Sequence, residues 1–270
     1  MSEPWAHRFL LSPAYRVPAT GFGFVLFGAG ATLISLTAFP MIYLMPLRKR
    51  HKEKLTRFVI STIFMSYVRL LRGLCLLTYE FRNSAQLKEM NQLIVANHPS
   101  LLDVVFLIAI TGDASCIVKG ALWKNPFTAM PVRSANYISN TDTQLFSRCV
   151  DLLNAGGSLI VFPEGTRSHP EELLKFHRGL SNIALSSIQK ITPVLISCNP
   201  PTLMKNQHWY DISNEPPHFI IDVLPVISTD HYMADGQLQS AAARQLNRDL
   251  EFYFNRLTGR LVGQIENGVN

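Results

Sequence analysis

A histidine and an aspartate stand five residues apart where the pattern of the chain changes. His98 and Asp103 belong to Asn97–Asp103, which reads Asn-His-Pro-Ser-Leu-Leu-Asp. The apolar run Leu93–Ala96 before them predicts a short buried strand, and the apolar run Leu101–Ile110 predicts a helix. A carboxylate one helical turn inside that helix can hold one ring nitrogen and leave the other free to accept a proton. The pattern indicates a general base, His98, oriented by Asp103.

A structural alternative accounts for the same residues. Ser100 is a good N-cap for the predicted helix, and Asp103 stands where the acid of a capping box belongs. On this interpretation the two residues only start a helix. On the catalytic interpretation, free amides at the helix N-terminus are candidate donors to an oxyanion.

A second polar segment follows another predicted strand. Ser158–Phe162 is apolar, and residues 163–168 continue it as Pro-Glu-Gly-Thr-Arg-Ser. The loop offers a carboxylate, a flexible turn, a hydroxyl and a guanidinium at Glu164, Gly165, Thr166 and Arg167. Glycine allows a sharp turn, and a guanidinium binds oxyanions through two parallel hydrogen bonds. A surface Glu-Arg pair in a turn is the structural alternative.

The two segments together resemble the glycerolipid acyltransferase family, whose best-known members are the lysophosphatidic acid (1-acylglycerol-3-phosphate) acyltransferases. The resemblance is carried by Asn-His-x-x-x-x-Asp and, about sixty residues later, Phe-Pro-Glu-Gly-Thr-Arg. Lys119–Phe127 resembles the second block of the family, and Thr192–Val194 resembles the fourth. The resemblance covers roughly Leu93 to Ser197 in the expected order.

The resemblance implies an O-acyltransferase that moves a fatty acyl group directly from an acyl thioester to the free hydroxyl of a lysophospholipid. The default reaction converts lysophosphatidic acid to phosphatidic acid. His98 and Asp103 are then catalytic. The expected substrate-binding residues are Glu164, Gly165, Thr166, Arg167 and Lys119. Glu164 either positions the acceptor hydroxyl or braces its loop, whereas Lys119 taken by itself suggests only a solvated lysine.

The resemblance also implies that the co-substrate is acyl-CoA or acyl-carrier protein and that no cofactor is bound. The chain has no Gly-x-Ser-x-Gly nucleophile elbow, which agrees with direct transfer and no acyl-enzyme. It has no His-Glu-x-x-His or similar spacing, so we expect no metal site. His177 is a weaker second candidate for catalysis.

One position departs from the family pattern. The second block usually ends in an apolar run closed by arginine, but this chain reads Tyr-Ile-Ser-Asn at 137–140, with Asn140 in that place. Arg133 is close but out of register. A site with fewer cations puts a phosphomonoester acceptor in question. The alternative is therefore an acyltransferase for a non-phosphate lyso-lipid, such as a lyso-amino-acid lipid.

Composition and charge favour contact with lipid. Of the 270 residues 47% are hydrophobic and only 16% are charged, and the net charge is +6. A positive charge favours anionic partners. No basic run interleaved with aromatics indicates nucleic acid, so membrane lipid is the expected partner. The four cysteines lack Cys-x-x-Cys spacing and suggest small buried hydrophobes in a reducing compartment.

The N-terminal part contains the expected membrane attachment. No charge occurs from Val17 to Leu47, and a helix near Thr20–Phe39 is long enough to span a bilayer. The basic burst that follows predicts a catalytic side on the cytoplasmic face, and we expect the bacterial inner membrane. Phe58–Leu77 carries arginines within an apolar helical pattern and predicts an interfacial helix. A core helix of the catalytic domain is the alternative.

The remainder of the chain alternates predicted strands with predicted helices, which indicates an α/β fold with a mixed sheet flanked by helices. The resemblance favours a two-helix membrane anchor at residues 1–80, followed by an α/β acyltransferase domain at residues 81–270. Asn199–Pro217 is a long Pro-rich segment of the kind that forms the wall of a binding site.

Overall fold

The computed structural model describes residues 9–89, 91–125, 127–169, 171–187, 190–233 and 238–261. Residues 1–8 of the expected anchor and residues 262–270 of the expected catalytic domain lie outside the described residues. Pro126 of the second block also lies outside them.

The sheet is mixed and is built around parallel central strands. Its strands are β1 (Thr78–Arg82), β2 (Leu93–Ala96), β3 (Ala114–Val118), β4 (Ile138–Ser139), β5 (Ser158–Val161), β6 (Lys190–Asn199), β7 (His218–Val223) and β8 (Ile227–Ser228). They lie in the order β1-β7-β6-β2-β5-β3-β4, and β8 pairs with β6. Neighbours from β6 to β4 are parallel, whereas β7 is antiparallel to β6 and parallel to β1.

Helices cover both faces of this sheet. They are α1 (Pro13–Leu36), α2 (Ala38–Leu44), α3 (Lys49–Gly73), α4 (Asp103–Thr111), α5 (Ala121–Lys124), α6 (Ala129–Ser134), α7 (Leu145–Asn154), α8 (Gly179–Leu185) and α9 (Gln239–Leu257). Short 3-10 turns occupy Ser84–Lys88 and Asp230–Met233. The predicted mixed sheet flanked by helices is confirmed.

The central strands are buried on both faces because their alternate residues enter two different cores. In β2, Ile94 belongs to the core beneath α3 and α4, whereas Leu93 belongs to the core beneath α7, α8 and α9. All four residues of β2 are buried, which explains its uninterrupted apolar sequence. The sheet therefore forms a rigid support whose strand ends can hold polar loops.

α3 forms part of the first core. Arg57 is buried, and its Nε atom donates to Asp113 Oδ1 at 2.7 Å. Ser61 donates its hydroxyl to the carbonyl oxygen of Ala109 in α4 at 3.0 Å. This packing matches the core-helix alternative for Phe58–Leu77. The two-helix anchor and the domain boundary stay predictions, and residue 80, where that boundary was placed, lies inside β1.

α1 is apolar and lies against α3. The ring centroids of Phe27 and Tyr67 are 5.0 Å apart, and those of Phe27 and Phe64 are 5.9 Å apart. The helical stretch Pro13–Leu44 has a mean hydropathy of 1.8 in its most apolar window, of which 17% is buried. Its length and composition suffice to cross a membrane, a criterion that signal sequences and some core helices also satisfy.

The cysteines differ in part from expectation. Cys116 and Cys149 are buried and Cys198 is half-buried, but Cys75 is exposed. Cys75 has φ 53° in the turn after α3, where the chain reverses toward β1 at the surface. The prediction of a buried hydrophobe was therefore wrong for Cys75.

Candidate active site

The predicted site residues follow neighbouring parallel strands. His98 comes after β2, Lys119 after β3 and Glu164 after β5. β5 lies between β2 and β3 and is parallel to both. The carboxyl ends of parallel strands lie at one edge of a sheet, which is where α/β proteins bind ligands. The topology therefore brings the separate sequence blocks to the same edge.

His98 and Asp103 form a hydrogen-bonded pair. The distance between His98 Nδ1 and Asp103 Oδ2 is 2.9 Å. The Asp103 side chain is fully buried, whereas 15% of the His98 side chain is exposed. A proton on Nδ1 is held by the carboxylate, so the tautomer that leaves Nε2 with a free lone pair is favoured. The ring also lies on Phe162, with centroids 4.6 Å apart.

Asp103 also binds the backbone just before α4, although the helix begins at Asp103 after Leu102 and not after the predicted N-cap Ser100. Its Oδ2 atom accepts a hydrogen bond from the Ser100 amide at 2.6 Å, in addition to the bond from His98. Burial raises the pKa of Asp103 to about 6, an effect partly opposed by the hydrogen bonds from His98 and Ser100. The structural and catalytic interpretations of this aspartate are therefore compatible, because one oxygen serves both the helix and the histidine.

The backbone amides just before α4 are bonded within the protein. The Leu101 amide donates to the carbonyl oxygen of Leu203 at 3.2 Å, and the Leu102 amide donates to Ser100 Oγ at 3.4 Å. Together with the Ser100 amide on Asp103, these bonds occupy the donors just before α4. The amides in the first turn of α4 stay the predicted candidates for an oxyanion donor.

Glu164 holds the backbone of the histidine motif. Its Oε1 atom accepts hydrogen bonds from the His98 amide and from Ser168 Oγ, both at 2.9 Å. The Ser168 amide in turn donates to the His98 carbonyl oxygen at 2.7 Å. Burial raises the pKa of Glu164, and the bonds from Ser168 and His98 lower it. Sequence reasoning missed Ser168, although it directly follows the loop arginine.

Gly165 turns the loop beside His177. It has φ +67°, and a Cβ atom there would lie 3.0 Å from His177 Nε2. Glycine is the residue that tolerates both conditions. The amide of His177 donates to the Pro163 carbonyl oxygen at 2.8 Å, so this histidine braces the loop. Thr166, next to the glycine, is exposed.

Arg167 is directed toward backbone carbonyls. Its Nη1 atom donates to the carbonyl oxygens of Leu203 and Met204, each at 2.8 Å. Within the described part of the chain, Nε and Nη2 of Arg167 have no hydrogen-bond partner. Sequence reasoning missed these carbonyl partners because backbone groups leave no signal in the residue types.

Asn140 supports the turn that carries Lys119. Its side-chain Oδ1 atom accepts a hydrogen bond from the backbone amide of Gly120 at 2.9 Å. The backbone amide of Asn140 donates to the Val118 carbonyl oxygen at 2.9 Å. Arginine could not replace the first bond, because its side chain has no acceptor. Lys119 itself is exposed. This asparagine therefore replaces a cation with a structural contact.

A cavity of about 310 Å³ adjoins the site on the β6 side. It is lined by the histidine motif, the end of β6 and residues after α9, including Asn97, Ser168, Thr258 and Arg260. Asn97 joins β2 to β6, since it donates to the Ile196 carbonyl oxygen and accepts from the Ile196 amide, both at 2.8 Å. Among the described residues, no group of three His, Cys, Asp or Glu side chains could hold a metal ion.

Comparison with known sequences identifies related proteins. The family model described as Acyltransferase matches residues 78–197. The 1-acyl-sn-glycerol-3-phosphate acyltransferase of Saccharomyces cerevisiae is 29% identical over 198 residues, covering 68% of this chain and 62% of that protein. The protein of the same name from Helicobacter pylori is 33% identical over 113 residues, covering 39% of this chain and 48% of that protein.

A relative with a different named substrate is equally similar. The Lyso-ornithine lipid O-acyltransferase of Pseudomonas aeruginosa is 29% identical over 182 residues, covering 65% of each protein. The chain thus spans less than two thirds of the length of these relatives.

The fold has a close counterpart among solved structures. The 1-acyl-sn-glycerophosphate (LPA) acyltransferase PlsC from Thermotoga maritima superposes with a TM-score of 0.62 at 18% sequence identity, covering 86% of this chain and 94% of that chain. At this identity the likeness concerns the fold alone. The Acyltransferase match and the named relatives, in contrast, identify an acyltransferase domain at residues 78–197 that is similar in sequence to glycerolipid acyltransferases.

Proposed function

We propose that the protein is a membrane-associated O-acyltransferase that transfers a fatty acyl group from an acyl thioester to the free hydroxyl of a lysophospholipid. Lysophosphatidic acid is the first candidate acceptor. The observation that carries the proposal is the 2.9 Å bond between His98 Nδ1 and the buried Asp103 carboxylate. It leaves Nε2 on a partly exposed ring at the edge of the sheet where ligands bind.

In the proposed reaction His98 Nε2 accepts the proton of the acceptor hydroxyl while that oxygen attacks the thioester carbonyl carbon. The tetrahedral oxyanion then collapses, the carbon–sulfur bond breaks, and the departing thiolate takes the proton from His98. The products are an ester and a free thiol, and no acyl-enzyme forms. Asp103 stabilises the transient imidazolium. General-base catalysis of this kind contributes about 10²–10⁴ in rate.

The loop after β5 supplies the other proposed roles. Glu164 positions the backbone of His98, and Gly165 and Thr166 shape the rim of the site. Arg167 and Lys119 are the proposed ligands of an anionic head group. The bonds of Arg167 to described residues use only Nη1, so Nε and Nη2 can bind two oxygens of a phosphate in parallel.

A lyso-amino-acid lipid is the second candidate acceptor. Two observations favour it. Asn140 stands where the family usually has arginine and is engaged with the Gly120 amide. A relative of comparable similarity is named a Lyso-ornithine lipid O-acyltransferase. A head group with fewer negative charges needs fewer cations, which fits this change.

The proposed attachment uses α1 and α3 as a two-helix anchor in front of the catalytic domain. α1 presents an apolar surface, and a basic segment follows the apolar stretch, with Arg48, Lys49, Arg50, Lys52, Lys54 and Arg57. Since α3 also packs in the catalytic core, the anchor holds the active site close to the lipid surface. We place this surface on the cytoplasmic face of a bacterial inner membrane, where acyl-CoA or acyl-carrier protein delivers the acyl group.

The direct test is an acceptor panel. Purified protein is offered acyl-CoA or acyl-carrier-protein thioester with lysophosphatidic acid, lyso-ornithine lipid and other lyso-lipids, and the products are identified by mass spectrometry. We expect one acylated product class in the wild type and none with His98→Ala. A wild-type protein that acylates no lyso-lipid with either donor contradicts the proposal.

A further inference from the structure

Residues 203–215, which we call the strap, connect the apolar helix α1 to the loop of Arg167. At the α1 end, Arg16 is only 2% exposed. Its Nη1 atom donates to the Ser213 carbonyl oxygen at 2.5 Å, and its Nη2 atom donates to the Glu215 carbonyl oxygen at 3.2 Å. A buried cation thus binds the strap to the start of the helix.

The middle of the strap places aromatic residues along α1. A Cβ atom on Gly21 would lie 3.2 Å from Trp209 Cζ3, and the rings of Phe24 and Trp209 have centroids 6.2 Å apart. Yet Trp209 remains 44% exposed and its neighbour Tyr210 remains 48% exposed. Tryptophan and tyrosine with one packed side and one open side are enriched where proteins meet the interfacial layer of a membrane.

The other end of the strap reaches the active site. The Leu203 carbonyl oxygen accepts hydrogen bonds from Arg167 Nη1 at 2.8 Å and from the Leu101 amide at 3.2 Å. Leu203 has φ 51°, a conformation that a bulky residue rarely adopts. The contacts with Arg167 and the histidine motif hold this conformation, so the position of the strap and that of Arg167 are linked.

We propose that the strap is a second membrane-contacting element, which inserts Trp209 and Tyr210 into the head-group layer beside α1 and presents Arg167 to lipid head groups. The argument is continuity: Phe22 and Val25, on the same helix that Trp209 covers, are 55% and 69% exposed. Nε and Nη2 of Arg167 bind the phosphate or carboxylate, while Nη1 stays bonded to the carbonyl oxygens of Leu203 and Met204, so the strap sets the direction of the guanidinium. This inference rests on the proposed membrane attachment.

Tryptophan fluorescence tests the contact without measuring activity. The chain has 3 tryptophans. Replacing Trp5 and Trp123 by phenylalanine leaves Trp209 as the single reporter. Two matched proteins, without native tryptophans, carry Phe22→Trp on α1 and Phe252→Trp on α9; Phe252 is 59% exposed, and α9 covers the other face of the sheet.

Each protein is mixed with vesicles of phosphatidylcholine and phosphatidylglycerol, with the former brominated near the glycerol end of its chains. We expect quenching of Trp209 to equal that of Phe22→Trp and to exceed that of Phe252→Trp severalfold. Quenching of Phe22→Trp without quenching of Trp209 overturns the strap proposal alone. Absence of quenching in both overturns it together with the proposed attachment.

Kinetics provide the second measurement. Burial of one aromatic ring in the head-group layer increases the partitioning of the protein from water to the membrane about tenfold. Trp209→Ala should therefore lower kcat/KM for an acceptor in vesicles about tenfold more than for a short-chain acceptor dissolved as monomers. Equal losses on both acceptors overturn the proposal, because they show that the strap only packs. A wild type inactive on every acceptor refutes the proposed function instead.

Discussion

The Oε1 atom of Glu164 accepts a hydrogen bond from the backbone amide of His98 at 2.9 Å. This contact joins the loop after β5 to the motif after β2 and sets the position of the histidine backbone. The same oxygen also accepts from Ser168 Oγ. The histidine motif Asn97–Asp103 and the loop at residues 163–168 are thus joined by hydrogen bonds to one carboxylate oxygen.

Glu164→Gln should keep most of the stability, because the amide oxygen of glutamine accepts the same two bonds. Glu164→Ala should lower the free energy of unfolding by about 1–3 kcal/mol, because the His98 amide loses its partner in a partly buried site. Urea unfolding of both variants measures the difference. Equal stability of the two variants would show that the carboxylate contact is not structural.

His98→Ala should abolish turnover while the protein remains folded. Asp103→Asn should retain measurable activity, reduced by about 10²–10⁴, because it disturbs the orientation and tautomer of the base but keeps the imidazole. Single-turnover acylation of a radiolabelled lyso-lipid measures both rates, with circular dichroism as the folding control. Wild-type activity in His98→Ala would refute the assignment of the base.

Stability should depend on the ionisation of Asp103. Burial raises its pKa to about 6 in the folded protein, above the 3.8 of a free aspartate. Between these values the folded state binds more protons than the unfolded state, so this residue makes stability fall as pH rises from about 4 to about 6. Asp103→Asn cannot titrate and should lack this component. Parallel curves of unfolding free energy against pH for wild type and variant would contradict it.

Substitutions of Arg167 and Asn140 should affect phosphate and non-phosphate acceptors differently. For a phosphomonoester acceptor, Arg167→Ala should raise KM steeply, whereas Arg167→Lys should recover part of the loss because charge remains without the paired bonds. For a lyso-amino-acid lipid, Asn140→Arg should not improve kcat/KM and should cost some stability, because the Gly120 amide loses its acceptor.

The assay compares kcat/KM for lysophosphatidic acid and lyso-ornithine lipid in wild type and these variants. Efficient use of lysophosphatidic acid over every other acceptor would show that Asn140 does not alter specificity. No use of lysophosphatidic acid with rapid use of lyso-ornithine lipid would establish the second candidate.

Attachment should resist salt. Charge contacts are screened at high ionic strength, but an apolar helix stays in the lipid. Full-length protein should therefore sediment with vesicles in high salt, and removal of residues before Arg48 should weaken sedimentation. Complete release of the intact protein by salt alone would contradict the proposed anchor.

The site was predictable where local pattern determines the structure. Leu93–Ala96 is a strand with the predicted limits, because an apolar run between polar segments has few other solutions. Asp103 was predicted to contact His98, and this contact occurs. The helix start was predicted too early, because α4 begins at Asp103 after Leu102 and not after Ser100. The parallel order of β2, β5 and β3 then brought the blocks together, as alternating strands and helices predict.

Other features depend on contacts between distant residues or on backbone atoms. Arg57 in α3 and Asp113 are 56 positions apart in the sequence. The hydrogen bond between them allows a helix with charged residues to pack in the core. The partners of Arg167 are carbonyl oxygens, which any residue type could provide. The two-residue strands β4 and β8 are too short for their periodicity to be detected. None of these can be deduced from spacing along the chain.

The pairing of β1 with β7 orders events during synthesis. Thr78 pairs with His218, so the edge of the sheet cannot close until the ribosome has added 140 further residues. Throughout that interval the apolar N-terminal segment has been synthesised, and β1 lacks its partner strand β7. Under the proposed attachment, the nascent chain engages lipid before its sheet is complete, and β1 pairs with β7 beside a segment that is already bound to lipid.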